Sequence, residues 1–464
     1  MKRVYFITGS QDLYGENTLR QVKSDADTMA AFLNERLSAY AEIVVKEVVK
    51  TPEEARRVLL DATNDDACIG VITWMHTFSP AKMWIKGLQL LHKPLLHLHT
   101  QANEKLPYAS IDMDFMNLNQ SAHGDREYAF ILKRLNIPHD IVVGYYRNEE
   151  VVAKIARFIE VASALDYSRH LKAAMFGSNM REVAVTDGDR VESQIRLGWE
   201  SNYYGIGDVV DIAENVSEEE VAAQLKEYKE NYLFEEKDHD AIAIQARMEI
   251  ALKKFLKKTG CQAFTDNFQD LHGLRQLPGL AAQDLMAKGV GFGPEGDYKT
   301  ACLSAVLMKM AEHRHGATGF IEDYTYDLSE GDELELGSHM LEVSPRFASA
   351  KPKIEVHPLS IGGKEDPARL VFDSIEGKGI QITMVDLGDR FRLIGMEVEL
   401  VKIREKMPRL PVARIMWRIL PSFQEGLTFW LENGGGHHSV ISTELTLDDI
   451  ALFAKLANIE FVHL

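Results

Sequence analysis

VYFITGS at residues 4–10 decides the fold of the first third of the chain. It is a short apolar, partly β-branched run that ends on Gly-Ser, which reads as a strand buried on both faces. An amphipathic helical pattern follows through about Leu37. IVVKEVV (43–49) is a second strand, and PEEARRVLLDAT after it is a helix with Pro52 in its first turn. CIGVITWM (68–75), PLLHLHTQ (94–101) and DIVVGYY (140–146) continue the series. Strands alternating with helices imply a parallel sheet covered on both sides. Ligands of such sheets bind beyond the carboxyl ends of the strands. GSQDLYG, MHTFSPAK and HTQAN are therefore the loops that bear on function.

A helix near 149–166 separates this unit from a second α/β alternation that opens with AAMFGSN (173–179). A long helix over 239–258 and the strand AFTDNF follow. Two further helical stretches, LPGLAAQDLMAKG and DYKTACLSAVLMKMAEH, flank GFGPEGD. After about residue 317 the texture changes to short, turn-bounded strand patterns: ATGFIEDYTYDL, DELELGSHMLEV, KIEVHP, ARLVFDS, GIQITMVDL, RFRLIGMEVELVKI and LTFWLENGGG. Only LDDIALFAKLAN near the end reads as helical there. The expected fold is α/β: two doubly wound parallel-sheet domains, 1–168 and 169–316, then a β-rich, antiparallel, barrel-like domain over 317–464.

Composition narrows the function. The chain has 464 residues, 45% hydrophobic and 26% charged, with a formal net charge of −18. Nucleic-acid binding needs clustered Lys and Arg, which are missing here. Three scattered cysteines, Cys68, Cys261 and Cys302, make neither a disulfide framework nor a zinc motif. The apolar run at the N-terminus is too short for a signal peptide, and no long apolar span reads as membrane-crossing. A cytoplasmic globular protein acting on a small molecule is the expectation. The glycines of ITGSQDLYG do not make the dinucleotide fingerprint, and no P-loop or nucleophile elbow occurs.

Chemistry concentrates in four segments: GFGPEGD with Glu295, IEDYTYD with Glu322, GSHMLEV with His339, and GGGHHSV with His437 and His438. Mixed carboxylate and imidazole donors suit a divalent ion that keeps positions open for substrate oxygens. Each segment also has a plain structural reading. GPEGD can be a capping turn with Asp297 as the cap. Glu322 and Asp323 can lie on an edge strand with both acids in water. A single histidine is often just hydrogen-bonded. Neighbours on an extended chain point to opposite faces, so only one of His437 and His438 is expected at a shared ion. His97 and His99 in PLLHLHTQ share a strand face, but no carboxylate stands near them in sequence.

GSQDLYGENTLRQV, WMHTFSPAKMW, NLNQSAHGDRE, FGSNMREVAVTDGD, QLPGLAAQDLM, PEGDYKTA, EDYTYD, GSHMLEV, IGGKEDPARLVF and GGGHHSV occur in that order. Together they resemble the L-arabinose isomerase family, and the likeness runs from about residue 5 to about residue 450. The resemblance implies two α/β domains and a β-rich domain related to that of L-fucose isomerase. It also implies Mn²⁺, with Co²⁺ or Mg²⁺ as substitutes, held by Glu295, Glu322, His339 and His438. The two glutamates would act as acid and base in converting L-arabinose to L-ribulose, and D-galactose to D-tagatose. Gln11, Leu13, Phe78, Met180, Phe268 and Ile361 would line the pocket, with Gln120 and His123 as polar contacts. The family's sites lie between subunits, which implies a homo-oligomer, tetramer or hexamer, with Gln120 and His123 acting in trans. Two departures stand out: Pro294 occupies a position where a small residue is expected, and the chain ends soon after His438. A non-catalytic sugar-binding protein and a metal-dependent sugar aldolase are the competing readings.

Overall fold

The first apolar run becomes β1 (Arg3–Gly9), which lies between β2 (Glu42–Val45) and β3 (Cys68–Met75) in a parallel sheet. β4 (Leu95–His99) and β5 (Asp140–Val143) extend it on the β3 side. The computed structural model describes residues 1–234, 236–359 and 361–464. Every residue of β3 is buried, as expected for a strand covered on both faces. The helix Pro52–Asn64 begins where the sequence placed it. Thr51 and Glu54 close a reciprocal capping box and Pro52 fills the first turn, where its missing N–H costs nothing.

The sheet order β2-β1-β3-β4-β5 changes direction between β1 and β3, the place beyond the strand ends where such sheets bind ligands. The loops after these two strands meet there: the buried Ser10 and Thr77 hydroxyls lie 2.7 Å apart, and Gln11 Nε2 donates to the Phe78 carbonyl at 3.1 Å.

A second parallel sheet contains β6 (Lys172–Phe176), β7 (Glu200–Tyr204), β8 (Ala263–Asp266) and β9 (Gly291–Pro294), in the order β7-β6-β8-β9. β9 is the GFGP segment, which the sequence reading left between two helices. Glycine is a poor strand former, but here it is required. A Cβ on Gly291 would stand 2.3 Å from the Ala301 carbonyl oxygen, and one on Gly293 2.5 Å from that of Asp297. The helix Tyr298–Met310 therefore packs on bare backbone.

The last third closes into a six-stranded antiparallel barrel. Its strands are β10 (Thr318–Asp327), β11 (Leu334–Ser338), β14 (Gly377–Asp386), β15 (Phe391–Leu400), β16 (Ile415–Ile419) and β17 (His438–Ser442). The ring runs β10-β11-β16-β15-β14-β17 and back to β10. Between β11 and β14, β12 (Lys353–Val356) and β13 (Ala368–Val371) form a separate ribbon, and β18 (Glu460–His463) joins β15 in parallel. Ile321, Ile394, Met396, Val398, Trp417 and Ile441 belong to the apolar cluster around this barrel.

One expected strand is a helix. LTFWLE, read as strand-like, belongs to the helix Phe423–Glu432. Ser422 accepts from the Glu425 N–H at 3.2 Å; the S-x-x-E start signal outweighs the β-forming aromatics that follow it.

The chain divides into two compact units: Met1–Asp166 with Leu452–Asn458, and Tyr167–Ala451 with Ile459–Leu464. The second sheet and the barrel share the latter unit. Among the described residues, no helix is long and apolar enough to cross a membrane.

Candidate metal centre and active site

Three adjacent barrel strands bring acid and imidazole together. Glu322 on β10 lies opposite His438 on β17 and opposite Ser338, the residue before His339, on β11. Alternation then sorts the two faces of β10. Phe320, on the Glu322 face, packs against Phe292 of the second sheet at 6.1 Å between ring centroids. Asp323 faces the other way and accepts from Gln381 Nε2 of β14 at 2.6 Å. β10 has a neighbour on each side, so the solvated-edge reading of IEDYTYD does not hold.

Glu295 arrives from the second sheet. Pro294 ends β9, an edge strand where a missing N–H disturbs no ladder. Glu295 and Gly296 follow with φ of +61° and +83°, and the Asp297 N–H donates to the Pro294 carbonyl at 2.9 Å. Two positive φ values inside such a bond are the mark of a type I′ turn. A non-glycine residue held in this region costs about 1–3 kcal/mol and is found where function over-determines the backbone. Gly296 cannot be replaced cheaply, since a Cβ there would meet Asn179 Cα at 2.6 Å.

His438 Nε2 and His339 Nε2 lie 3.8 Å from Glu295 Oε2 and Glu322 Oε2 respectively. A second carboxylate holds each ring through its other nitrogen. Asp297 Oδ2 is 3.1 Å from His438 Nδ1, and Glu342 Oε2 is 2.5 Å from His339 Nδ1. A carboxylate only accepts, so each Nδ1 carries the hydrogen and each Nε2 presents a lone pair. Both Nε2 atoms are buried without a hydrogen-bond partner. Phe320 sets its ring edge-on to both imidazoles, at 5.6 Å and 5.4 Å. Two buried lone pairs opposite two carboxylates leave an unmet demand for positive charge. This donor set fits a divalent ion.

The electrostatics agree. Burial works to raise the Glu295 carboxyl, but His437, His438 and His339 outweigh it and hold it below the usual range. Burial also opposes charging His339, yet Glu342, Glu322 and Glu295 lift its pKa to about 9. For Asp297, Lys299 and His438 overcome desolvation and hold the carboxyl well below the usual range. Carboxylates that favour a proton on a buried imidazole also favour a cation in its place.

Both adjacent histidines reach Glu295, against the expectation from strand alternation. His437 Nε2 is also 3.8 Å from Glu295 Oε2, and Glu295, His437 and His438 offer ligand atoms within 4.8 Å of one another. The reason is local: β17 starts only at His438, so His437 still belongs to the glycine turn before it. His437 is 37% exposed, whereas His438 is buried and oriented by Asp297. Geometry thus favours His438 as a ligand, with His437 at the rim. Sequence reading missed Glu342 and the role of Asp297 beyond capping. A carboxylate three residues after His339 was the available signal for the first.

The other expected pocket residues fall into two groups. In the second unit, Met180 and Phe268 follow β6 and β8, where that sheet changes direction. The Met180 N–H donates to the Glu295 carbonyl at 2.9 Å, and Asn267 Nδ2 to the Asn179 carbonyl at 3.2 Å. Ile361, 37% exposed, lies on the loop between β12 and β13. In the first unit, Gln11, Phe78, Gln120 and His123 cluster at the β1/β3 switch. Phe78 stacks on His123 at 4.5 Å, and Gln120 Oε1 lies 3.2 Å from His123 Nδ1. Leu13 stands beside them in sequence and is 82% exposed.

The family models match in chain order. Residues 1–170 match the L-arabinose isomerase N-terminal domain, 172–313 its central domain and 317–460 its C-terminal domain. Curated proteins named L-arabinose isomerase are similar along the whole chain. That of Geobacillus stearothermophilus is 53% identical and that of Halalkalibacterium halodurans 52%, each across 99% of this chain and 93% of the relative. The Thermotoga neapolitana protein is 50% identical over the same shares. With its sheets, its barrel and its ordered motifs in agreement, this chain belongs to the L-arabinose isomerase family.

Proposed function

We propose that the chain is a metal-dependent aldose–ketose isomerase that converts L-arabinose to L-ribulose, with Mn²⁺ held by Glu295, Glu322, His339 and His438. One observation carries this reading: two buried, carboxylate-oriented imidazole nitrogens without partners face two glutamates. When bound, a divalent ion supplies Lewis-acid stabilisation of the charge that develops on the substrate oxygens. The remaining work falls to the chain. One glutamate takes the proton from C2 of the open-chain aldose and returns it to C1, and the other passes a proton between O1 and O2. They come from different elements, β10 and the turn after β9, so they can address different sides of an ene-diol plane. Asp297 and Glu342 keep the imidazole tautomers fixed. D-Galactose differs from L-arabinose by one hydroxymethyl group, worth only ~1–3 kcal/mol in a partly apolar pocket, so conversion to D-tagatose is included.

EDTA treatment is expected to bring arabinose–ribulose interconversion to background, and Mn²⁺ to restore it. Retained turnover in fully chelated protein would refute the metal reading. Sugar binding without interconversion would indicate a binding protein, and cleavage to smaller carbonyl compounds an aldolase.

The cluster of Gln11, Leu13, Phe78, Gln120 and His123 completes the site from a neighbouring copy in a homo-oligomer, tetramer or hexamer. An apolar side chain as exposed as Leu13 beside a stacked His–Phe pair supports a surface that is covered in use. Mixing His123→Ala protein with Glu295→Gln protein, each inactive alone, is expected to regain activity as mixed oligomers form. No recovery after verified subunit exchange would place both groups in one chain's own site.

A further inference from the structure

The pair His97 and His99, which lacked a carboxylate in sequence, acquires one in space. Both lie on β4, two residues apart, and so share a face. The helix Ser121–Arg134 lays Asp125 over that face. Asp125 Oδ1 is 3.0 Å from His97 Nε2, and Oδ2 is 2.5 Å from His99 Nδ1. The three residues offer ligand atoms that all lie within 4.8 Å of one another. Ligand atoms on a tetrahedral zinc ion, each ~2.0–2.1 Å from it, sit roughly 3.3 Å apart. His97 and Asp125 are buried, while the His99 side chain keeps 33% of its surface exposed and leaves a way in.

The hydrogen bonding around His97 speaks against a network closed by protein donors alone. Thr73 Oγ1 lies 3.1 Å from His97 Nδ1 and 3.5 Å from the Leu96 carbonyl oxygen, to which it donates. With the imidazole hydrogen on Nδ1 toward Thr73, the tautomer a metal ligand needs, Nε2 holds a lone pair. That lone pair faces the Asp125 oxygen, also an acceptor. Despite the short approach, neither atom has an aligned hydrogen-bond partner, and both are buried. Two acceptors so close repel unless a positive centre lies between them. Tyr128 packs its ring against His97 at 4.9 Å and limits how the imidazole can turn away.

From this geometry we infer that His97, His99 and Asp125 form a second metal site, in the N-terminal unit, for a borderline transition ion such as Zn²⁺ or Co²⁺. Two nitrogens and one oxygen select such ions over Mg²⁺ and Ca²⁺, which prefer all-oxygen sets. The site ties the N-terminal part of the helix Ser121–Arg134 to the carboxyl end of β4. His123 lies two residues before Asp125, so the ion is a clamp on the cluster around Phe78. The inference rests on this unit alone and does not depend on the isomerase reading.

The test is Co²⁺ titration of the chelated full-length protein, followed by metal analysis and by the visible absorption of the bound ion. Wild type is expected to take two ions per chain. His99→Ala and Asp125→Asn should each take one, while Glu295→Gln/His438→Asn should keep the ion in the N-terminal unit. Zn²⁺ should raise the melting temperature of the double variant, and that rise should vanish when Asp125→Asn is added to it, because no site is then left to couple binding to stability. Asp125→Asn keeps the side-chain volume, and circular dichroism establishes that it folds. An Asp125→Asn protein with wild-type Co²⁺ stoichiometry and spectrum would overturn the proposal. So would a folded Glu295→Gln/His438→Asn protein that binds no Co²⁺. Either result would leave a His–Asp–His hydrogen-bond network in place of a site.

Discussion

Glu295→Gln and Glu322→Gln are each expected to fold as wild type and to lose turnover by ~10²–10⁴, the usual worth of a positioned proton-transfer group. Glutamine keeps the shape of the side chain and its reach, so packing around Phe320 and the type I′ turn at Glu295 is retained. What disappears is the charge and the ability to take a proton. Glutamine at 295 also removes the anion that His437 and His438 both face at 3.8 Å. The loss should therefore appear in kcat at saturating Mn²⁺, with a further fall in Mn²⁺ affinity. Steady-state kinetics across a Mn²⁺ series, with circular dichroism as the folding control, separates the two effects. Near-normal kcat in either variant would sink the acid/base assignment while leaving the fold untouched.

Phe320→Ala should do the opposite, damaging the fold first and the chemistry through it. The ring is fully buried and touches Phe292, His339 and His438 at once. Truncating a buried Phe to Ala typically costs ~3–5 kcal/mol. Aromatic edge contacts of this kind contribute about 0.5–1.5 kcal/mol beyond area burial. The cavity lies directly behind both imidazoles, so their rings gain freedom and Mn²⁺ affinity falls as well. A lower urea midpoint together with a Mn²⁺ activation curve shifted to higher concentration is the expected result. A variant with the wild-type midpoint and wild-type Mn²⁺ dependence would show that the ring neither supports the core nor positions the ligands.

The legible parts of the sequence were those governed by local pattern. Apolar runs of strand length with helical periods between them gave the two parallel sheets. Turn-bounded alternation gave the barrel strands. Where local signals competed, the reading failed in identifiable ways. The helix Phe423–Glu432 starts at Ser422 with Glu425 three residues on, yet its aromatics look like a strand. β9 is built on glycines that no propensity favours, because the helix Tyr298–Met310 needs bare backbone beside it. His437 escapes the alternation rule because the glycines ahead of it keep it outside β17.

The sequence by itself determined which residue types stand in exceptional backbone settings: Glu295 in a glycine turn, Glu322 in an apolar run, His339 and the His437–His438 pair beside glycines. It also determined the order of the family's motifs, which local composition preserves. Only the tertiary structure decided that β10 lies between β11 and β17, so that Glu322 meets His438 and the end of β11 across the ladder. Only it supplied Asp297, Glu342 and Asp125 as partners for histidines, two of them from distant segments. The physical reason is that strand pairing and register are non-local. A shift of one residue would turn Glu322 into the barrel and Asp323 out of it. That choice is made by the packing of Phe320 and Ile321 into different apolar clusters, not by anything adjacent to Glu322 in the chain.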